Sequence, residues 1–99
     1  MASCRSSGVL TATDKIIHKG QCKLVSIHAT YLGTPPATTT IKVFDNTAGS
    51  GKELARMVLR PSPDSPMTLE YDMHGVIATN GLFMTMSPDG GSAVAVEYS

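Results

Sequence analysis

Met67 to Ser99 read MTLEYDMHGVIATNGLFMTMSPDGGSAVAVEYS, and apolar and polar residues alternate in this stretch with a period of two. Asn80-Gly81 and the turn residues from Ser87 to Gly91 divide it into segments of strand length. A period of two, broken by such turn residues, is typical of antiparallel β-strands with one buried face. The stretch therefore predicts an antiparallel sheet that continues to Tyr98.

The rest of the chain shows the same signals, and we predict about eight strands in a single all-β domain spanning residues 1–99. Gly51–Leu59 could also form a short one-sided helix, but a hairpin strand after the Gly-rich loop explains it better. The connections are too short for the crossovers that parallel strands require, so we expect an antiparallel, jelly-roll-like β-sandwich. The strands predicted before the final stretch are Val9–Thr13, Lys15–Lys19, Cys22–Tyr31, Thr39–Phe44 and Glu53–Leu59.

The apolar phase of each predicted strand gives the expected core. In the third strand, Val25 shares a face with Ile27 and Ala29. Lys23 interrupts that face at its start. When the other strands are treated in the same way, the core is expected to consist mainly of Val25, Ile27, Ile41, Val43, Leu69, Tyr71, Leu82, Val94 and Val96.

The charge of the chain is low and balanced. Charged residues make up only 16% of it, and eight basic residues offset eight acidic ones. Nucleic-acid binding needs a clustered positive field, which these dispersed lysines and arginines do not provide. The chain also shows no apolar run suited to a membrane-spanning helix and no apolar secretory segment at its start. We therefore expect synthesis in a cytosol, no nucleic-acid or membrane partner, and a surface that protein partners cover.

The two cysteines, Cys4 and Cys22, are too few for a disulfide framework in 99 residues. Two free thiols, one of them buried in a strand, are the favoured interpretation. A single bond that ties the N-terminus to Cys22 is the alternative. Together with His18 and His28 these cysteines lack the paired spacing of zinc ligands, so neither a metal nor a cofactor is expected.

The sequence carries no motif of a catalytic site. Ala48–Glu53 resembles a phosphate-binding loop, but Asn46 stands where the first glycine belongs and Glu53 follows the lysine. No Gly-x-Ser-x-Gly motif is present, and Glu70 and Asp72 share the polar face of one strand. We expect no enzyme activity and no small-molecule substrate, and a carbohydrate- or receptor-binding module is kept as an alternative.

The six methionines fit two interpretations. Met73 shares a face with Leu69, and Met84 shares a face with Leu82 and Met86. Core packing is the favoured explanation. Methionine also adapts its shape to protein interfaces, so an apolar face that packs against another copy of the chain stays open.

Three segments resemble the small all-β virion proteins of tailed bacteriophages, particularly those of cyanophages. They are IKVFDNTAGSG at 41–51, GVIATNGL at 75–82 and VAVEY at 94–98. The resemblance lies within the part of the chain from Cys22 onwards. It implies a sandwich or jelly-roll fold, no enzymatic activity and a structural role in the virion. Some of these proteins are decoration, or cement, proteins that sit as trimers on the capsid.

The resemblance thus implies a homotrimer on the phage head surface that bridges subunits of the major capsid protein. A head-fibre, tail or head–tail connector component is the alternative within the structural class. We expect Ala93–Tyr98 to form an edge strand that is available for pairing. Loops on a rigid scaffold are the usual binding elements, and prolines reduce the entropy lost on binding. The predicted partner-binding residues are Pro35, Pro36, Asn46, Lys52, Arg60, Pro61, Pro63, Asp64 and Pro66.

Overall fold

A computed structural model of the chain describes residues 5–11, 14–31, 38–60, 68–87 and 92–99. Every regular element within these ranges is a β-strand, as the alternating pattern predicts. Of the predicted strand Val9–Thr13, only Leu10 pairs, in one antiparallel bridge to Val94, and residues 12–13 lie outside the described ranges. The strands are β1 (Arg5–Ser6), β2 (Lys15–Lys19), β3 (Cys22–Tyr31), β4 (Thr39–Asp45), β5 (Lys52–Leu59), β6 (Thr68–Ala78), β7 (Gly81–Ser87) and β8 (Ser92–Tyr98).

The strands form two four-stranded antiparallel sheets that pack into a sandwich. Sheet I has the order β1-β8-β3-β6, and sheet II has the order β2-β7-β4-β5. The pairings of β4 with β5, β3 with β6, β2 with β7 and β1 with β8 are those of one long hairpin. Rolling up this hairpin adds the pairings of β3 with β8 and of β4 with β7. This is the strand order of an eight-stranded jelly roll, so the predicted fold class is confirmed.

The last strand lies inside sheet I, and the prediction that Ala93–Tyr98 forms an edge is wrong. β8 pairs with β3 on one side and with Arg5 and Ser6 of β1 on the other. Further along, Leu10 and Val94 exchange two backbone hydrogen bonds of 2.7 and 2.8 Å. The N-terminal segment therefore covers this strand. The edge strands are β1 and β6 in sheet I, and β2 and β5 in sheet II.

Side chains from both sheets meet in one apolar core. Most of the predicted core residues are buried there, namely Ile27, Ile41, Val43, Leu82, Val94 and Val96. Leu69 and Tyr71 are partly buried and pack against this core. The core also contains residues outside the predicted set, among them Leu24, Met57, Leu59, Met84 and Met86. The core interpretation of the methionines is thus confirmed for these three.

Val25 is the exception, because a β-bulge shifts the phase of β3. Both ladders of β3 change register between Leu24 and Ser26. As a result Leu24 is fully buried while Val25 is only partly buried. The predicted phase is correct again from Ile27 onwards. The bulge also explains why Lys23, which interrupted the predicted face, is exposed.

The edge strand β6 carries a wider irregularity opposite this bulge. The register places residues 73–75 of β6 opposite the single residue Val25. His74 and Gly75 both have positive φ angles, of 54° and 78°, a backbone conformation that glycine adopts without steric penalty. Such bulges bend a strand and increase its twist. β6 is therefore one strand with a bend before its last residues.

Candidate functional site

The structure describes three of the nine predicted partner-binding residues and does not bring them together. Asn46 and Lys52 flank the loop between β4 and β5, and Arg60 follows the other end of β5. At about 3.3 Å per residue, Lys52 and Arg60 are roughly 26 Å apart along the strand. A partner that contacts all three would have to follow most of β5. The predicted residues Pro35, Pro36, Pro61, Pro63, Asp64 and Pro66 lie outside the described residues.

Asn46 shapes the loop between β4 and β5. Its side-chain amide donates a 2.8 Å hydrogen bond to the carbonyl of Ser50, and its side-chain oxygen accepts one of 2.8 Å from the backbone N–H of Thr47. The closed loop passes over the outer face of sheet II. A Cβ added to Gly49 would lie 3.3 Å from the ring of Phe83. Asn46 thus helps to cover an aromatic side chain of the protein itself.

Asp45, just before that loop, joins the two sheets at one end of the sandwich. Its carboxylate accepts a 2.7 Å hydrogen bond from the backbone N–H of Asn80, in the turn between β6 and β7. This bond, with further backbone hydrogen bonds from Thr79 and Gly81 and the charge of Lys52, lowers the pKa of Asp45, although burial acts in the opposite direction. Lys52 pairs with Asp45 across the strands, so it stabilises this junction as well as presenting a charge to solvent.

The outer face of sheet I carries four polar side chains in contact, here termed the polar cluster: Ser26 and His28 on β3, Glu70 on β6 and Glu97 on β8. The Ser26 hydroxyl donates a 2.7 Å hydrogen bond to Oε1 of Glu97. Nε2 of His28 lies 2.9 Å from the same oxygen, and Nδ1 lies 3.5 Å from Oε2 of Glu70. The hydrogen bonds from Ser26 and His28 lower the pKa of Glu97.

The polar cluster joins residues that the sequence keeps apart. Glu97 lies far from Ser26 in the sequence, and only the cross-strand register of β3 with β8 pairs them. That register depends on the bulge at Val25, which the alternating pattern does not show. The sequence does carry one sign of the cluster, because polar residues occupy alternating positions of β3.

A serine and a histidine beside glutamates invite comparison with a hydrolase triad. Ser26 Oγ lies 3.2 Å from Nε2 of His28, but the hydroxyl donates to Glu97, which is closer. Ser26 also lies within a strand that is paired on both sides, whereas a hydrolase nucleophile sits on a sharp exposed turn. The arrangement therefore fits a cross-strand link between β6, β3 and β8 better than an activated nucleophile.

The same geometry is unsuited to a metal ion. The two glutamates contact opposite nitrogens of the His28 ring, so an ion bound by one nitrogen would have only one of the carboxylates beside it. No group of three or more potential ligands for a metal ion exists among the described residues. Cys22 is buried, as predicted, and burial, together with the charge of Asp45, raises the pKa of its thiol. Cys22 is a free thiol, as the favoured interpretation predicts, and Cys4 lies outside the described residues.

The outer face of sheet II has a shallow groove of about 500 Å³. Lys42 and Arg56 are direct cross-strand neighbours in this groove, and like charges in such positions repel. Glu53 offsets the repulsion, because Arg56 donates hydrogen bonds of 2.7 and 3.0 Å to its two carboxylate oxygens. The groove is thus an open, weakly charged feature of the surface. Its lining residues are Thr40, Lys42, Arg56, Thr85, Met86 and Ser87.

The exposed apolar surface lies at the edges of the sandwich. Among the described residues, the exposed large hydrophobic side chains are Val9, Ile16, Val58, Val76 and Ile77. Ile16 lies on β2 and Val58 on β5, while Val76 and Ile77 lie on β6, and all three strands are edges. Val9 follows the fourth edge strand, β1. Because edge strands also offer backbone groups for pairing, these edges are the best candidate for a protein-binding site.

Neither a family model, nor a curated protein, nor a solved structure matches this chain. Within the described ranges, no helix is long and apolar enough to cross a membrane. The assignment of a binding surface therefore rests on the geometry of the chain itself. The resemblance to phage virion proteins stays an interpretation of the three sequence segments.

Proposed function

We propose that this chain is an assembly protein of a phage particle, and specifically a decoration protein that bridges subunits of the major capsid protein on the head surface. The observation that carries the proposal is the position of the exposed large apolar side chains on edge strands and beside β1. Edges that combine apolar side chains with backbone groups for pairing support lateral contacts with other proteins.

The fold is compatible with several classes of protein, and the sequence favours one of them. Jelly rolls are common in viral capsid proteins, and they also occur in lectins and cupins, so the fold alone does not assign a function. The three segments that resemble phage virion proteins favour the first of these groups. The balance of eight basic and eight acidic residues suits a chain whose surface is covered by protein.

The size of the surface is compatible with several simultaneous contacts. A specific interface of ordinary size buries about 800 Å² on each partner, roughly a seventh of the 5457 Å² of accessible surface. One copy therefore has room for a contact with the shell and contacts with neighbouring copies. Linked copies bind a repeated surface far more durably than single ones, because the second contact forms within an already bound complex.

The copy number and position of the chain in purified particles test the proposal. Quantitative mass spectrometry is expected to find hundreds of copies in each particle, whereas a handful of copies, or a position on the tail in electron micrographs, would favour a fibre, tail or connector component.

Heads that lack the chain are expected to release their genome at a lower temperature than complete heads, and the purified chain is expected to restore their resistance. Deficient heads that withstand heat and osmotic stress as well as complete ones would contradict a cementing role.

A further inference from the structure

We infer that the acidic edge strand β6 of one copy binds the basic edge strand β2 of a second copy, so that copies associate side by side and head to tail. This inference rests on the proposed function, in which the edge strands bind other proteins. It names a second copy of the chain as the partner for two of these strands. Its support comes from the charges and the exposed apolar residues of these edges.

The acidic edge is defined by Glu70, Asp72, Val76 and Ile77 of β6, all of which are exposed. Glu70 and Asp72 lie on the same face of the strand. Each contacts a histidine nitrogen at 3.5 Å, from His28 and from His74 respectively, and a histidine offsets a negative charge only when it is protonated. Glu70 and Asp72 thus give this edge exposed carboxylates, and Val76 and Ile77 give the same strand exposed apolar side chains beyond its bend.

The basic edge lies on β2, where Lys15, Ile16 and Lys19 are exposed. Arg5 on the neighbouring edge strand β1 is exposed too. Asp14 precedes β2 and is the one acidic residue in the described part of this side, so positive charge predominates. Ile16 is 46% exposed and Ile77 is 56% exposed, so each edge offers an apolar contact beside its charges.

The two edges lie on opposite sides of the sandwich. β6 and β5 are in contact with each other across the two layers, and β1 and β2 stand at the far ends of the same two sheets. A contact between two different surfaces on opposite sides of a molecule is heterologous, and it closes into a ring when the rotation between copies allows it. A closed ring of three copies is the state that the sequence resemblance implies.

Other pairings of the edges are less favourable. A two-fold contact between two β6 strands would bring Glu70 and Asp72 of both copies together, and like charges that face each other across strands repel. Pairing of β6 with β5 would use Lys52, which pairs with Asp45 across the strands, and Arg56, whose guanidinium is already bound to both carboxylate oxygens of Glu53. On β2, Lys15 and Lys19 are exposed, and their charge complementarity with the carboxylates of β6 favours fast and specific association.

Charge reversal on either edge tests the contact by sedimentation of the purified full chain at low salt. We expect Glu70→Lys/Asp72→Lys and, separately, Lys15→Glu/Lys19→Glu to weaken self-association at least tenfold. A chain with all four substitutions carries complementary edges again and is expected to associate within about threefold of the original. Added salt is expected to weaken association of the original chain, because it screens exposed charges.

Lys42→Glu is the control, because it reverses a charge on β4, a strand paired on both sides. It is expected to leave association unchanged, and circular dichroism and melting establish that every variant is folded. A monomeric original chain, insensitivity to both reversals, or failure of the folded fourfold variant to associate would overturn the inference.

The fourfold variant also separates this inference from the proposed function. If it associates but neither it nor the original chain binds phage heads, the contact stands and the cementing role is wrong. If the original chain binds heads as a monomer, the cementing role stands and the contact is wrong.

Discussion

β6 and β7 follow each other in the chain and share one alternating pattern, yet they lie in very different environments. β7 buries Leu82, Phe83, Met84 and Met86, whereas no residue of β6 is buried between 68 and 77. Position in the sheet explains the difference, because β7 lies between β2 and β4 while β6 is an edge. Alternation therefore indicates which residues share a face, and it does not indicate how deeply that face is buried.

The outer faces of the two strands differ for a second reason. The loop between β4 and β5 folds over β7, and its Gly49 approaches both Thr85 and Phe83. Phe83 is consequently only 8% exposed although it points away from the core. The outer face of β6 carries Glu70 and Asp72, which are exposed. One strand is thus covered by its own chain, and the outer face of the other is exposed.

The same truncation on the two strands should show the largest difference. Leu82 is fully buried, and Leu69 is only partly buried. We expect Leu82→Ala to lower the free energy of unfolding by about 2–5 kcal/mol, and Leu69→Ala by about half as much, because the cost depends on the buried atoms removed and the cavity left. Chemical denaturation of both variants measures the difference. Equal losses would mean that β6 is packed as tightly as β7.

Glycines on the two strands provide a second matched pair. A Cβ on Gly81 would lie 2.5 Å from the carbonyl oxygen of His18, whereas the nearest atom to a Cβ on Gly75 is Cδ of Lys23 at 3.7 Å. Gly81→Ala is therefore expected to cost about 2–3 kcal/mol through backbone displacement. Gly75→Ala is expected to cost about 1 kcal/mol, from its positive φ alone. Thermal unfolding of the two variants measures both losses. A larger loss of stability for Gly75→Ala than for Gly81→Ala would contradict the bulge at Gly75.

The turn that joins the two strands depends on the charge of Asp45. We expect Asp45→Asn to cost about 1–2 kcal/mol at neutral pH, because a charged acceptor strengthens its hydrogen bonds to the backbone. The folded pKa of Asp45 lies below its ordinary value, which is about 3.9 in an unfolded chain. The stabilisation of the fold by the charged Asp45 carboxylate is thus fully present above about pH 4, and it is lost as the pH falls through the folded pKa. Melting curves from pH 7 to pH 2 should therefore converge for the two proteins. A constant gap would show that the charge is not responsible.

The smallest effect is expected on the outer face of β6. Glu70→Gln removes an exposed charge whose contact with His28 is 3.5 Å long, and exposed ion pairs contribute little to stability. The melting temperature is expected to change by less than about 2 °C. A larger fall would mean that the polar cluster stabilises the sheet, and β6 would then resemble β7 more closely than its exposure suggests.

The sequence predicted the strands and most of the core because burial of one strand face leaves a direct trace in the alternation. It placed Val25 in the core because the alternation that is correct from Ile27 onwards was extended back through the bulge. It could not show that residues 5–10 cover β8, since that contact joins the two ends of the chain. The polar cluster was hidden for the same reason, because Glu97 meets His28 only through the register of two distant strands.

The rolled hairpin also determines the order in which the chain can fold. β4 and β5 are joined by a short loop, whereas Arg5 of β1 pairs with Tyr98 of β8 across almost the whole chain. Closing a longer loop costs more entropy, and folds rich in such distant pairings form slowly. Pulse-labelling hydrogen exchange should therefore show protection of the β4–β5 hairpin first and of the β1–β8 pairing last. Until residues 5–10 pair with β8, the alternating alanines and valines of this strand form an open edge. A folding chain is most exposed to pairing with the wrong partner during that interval.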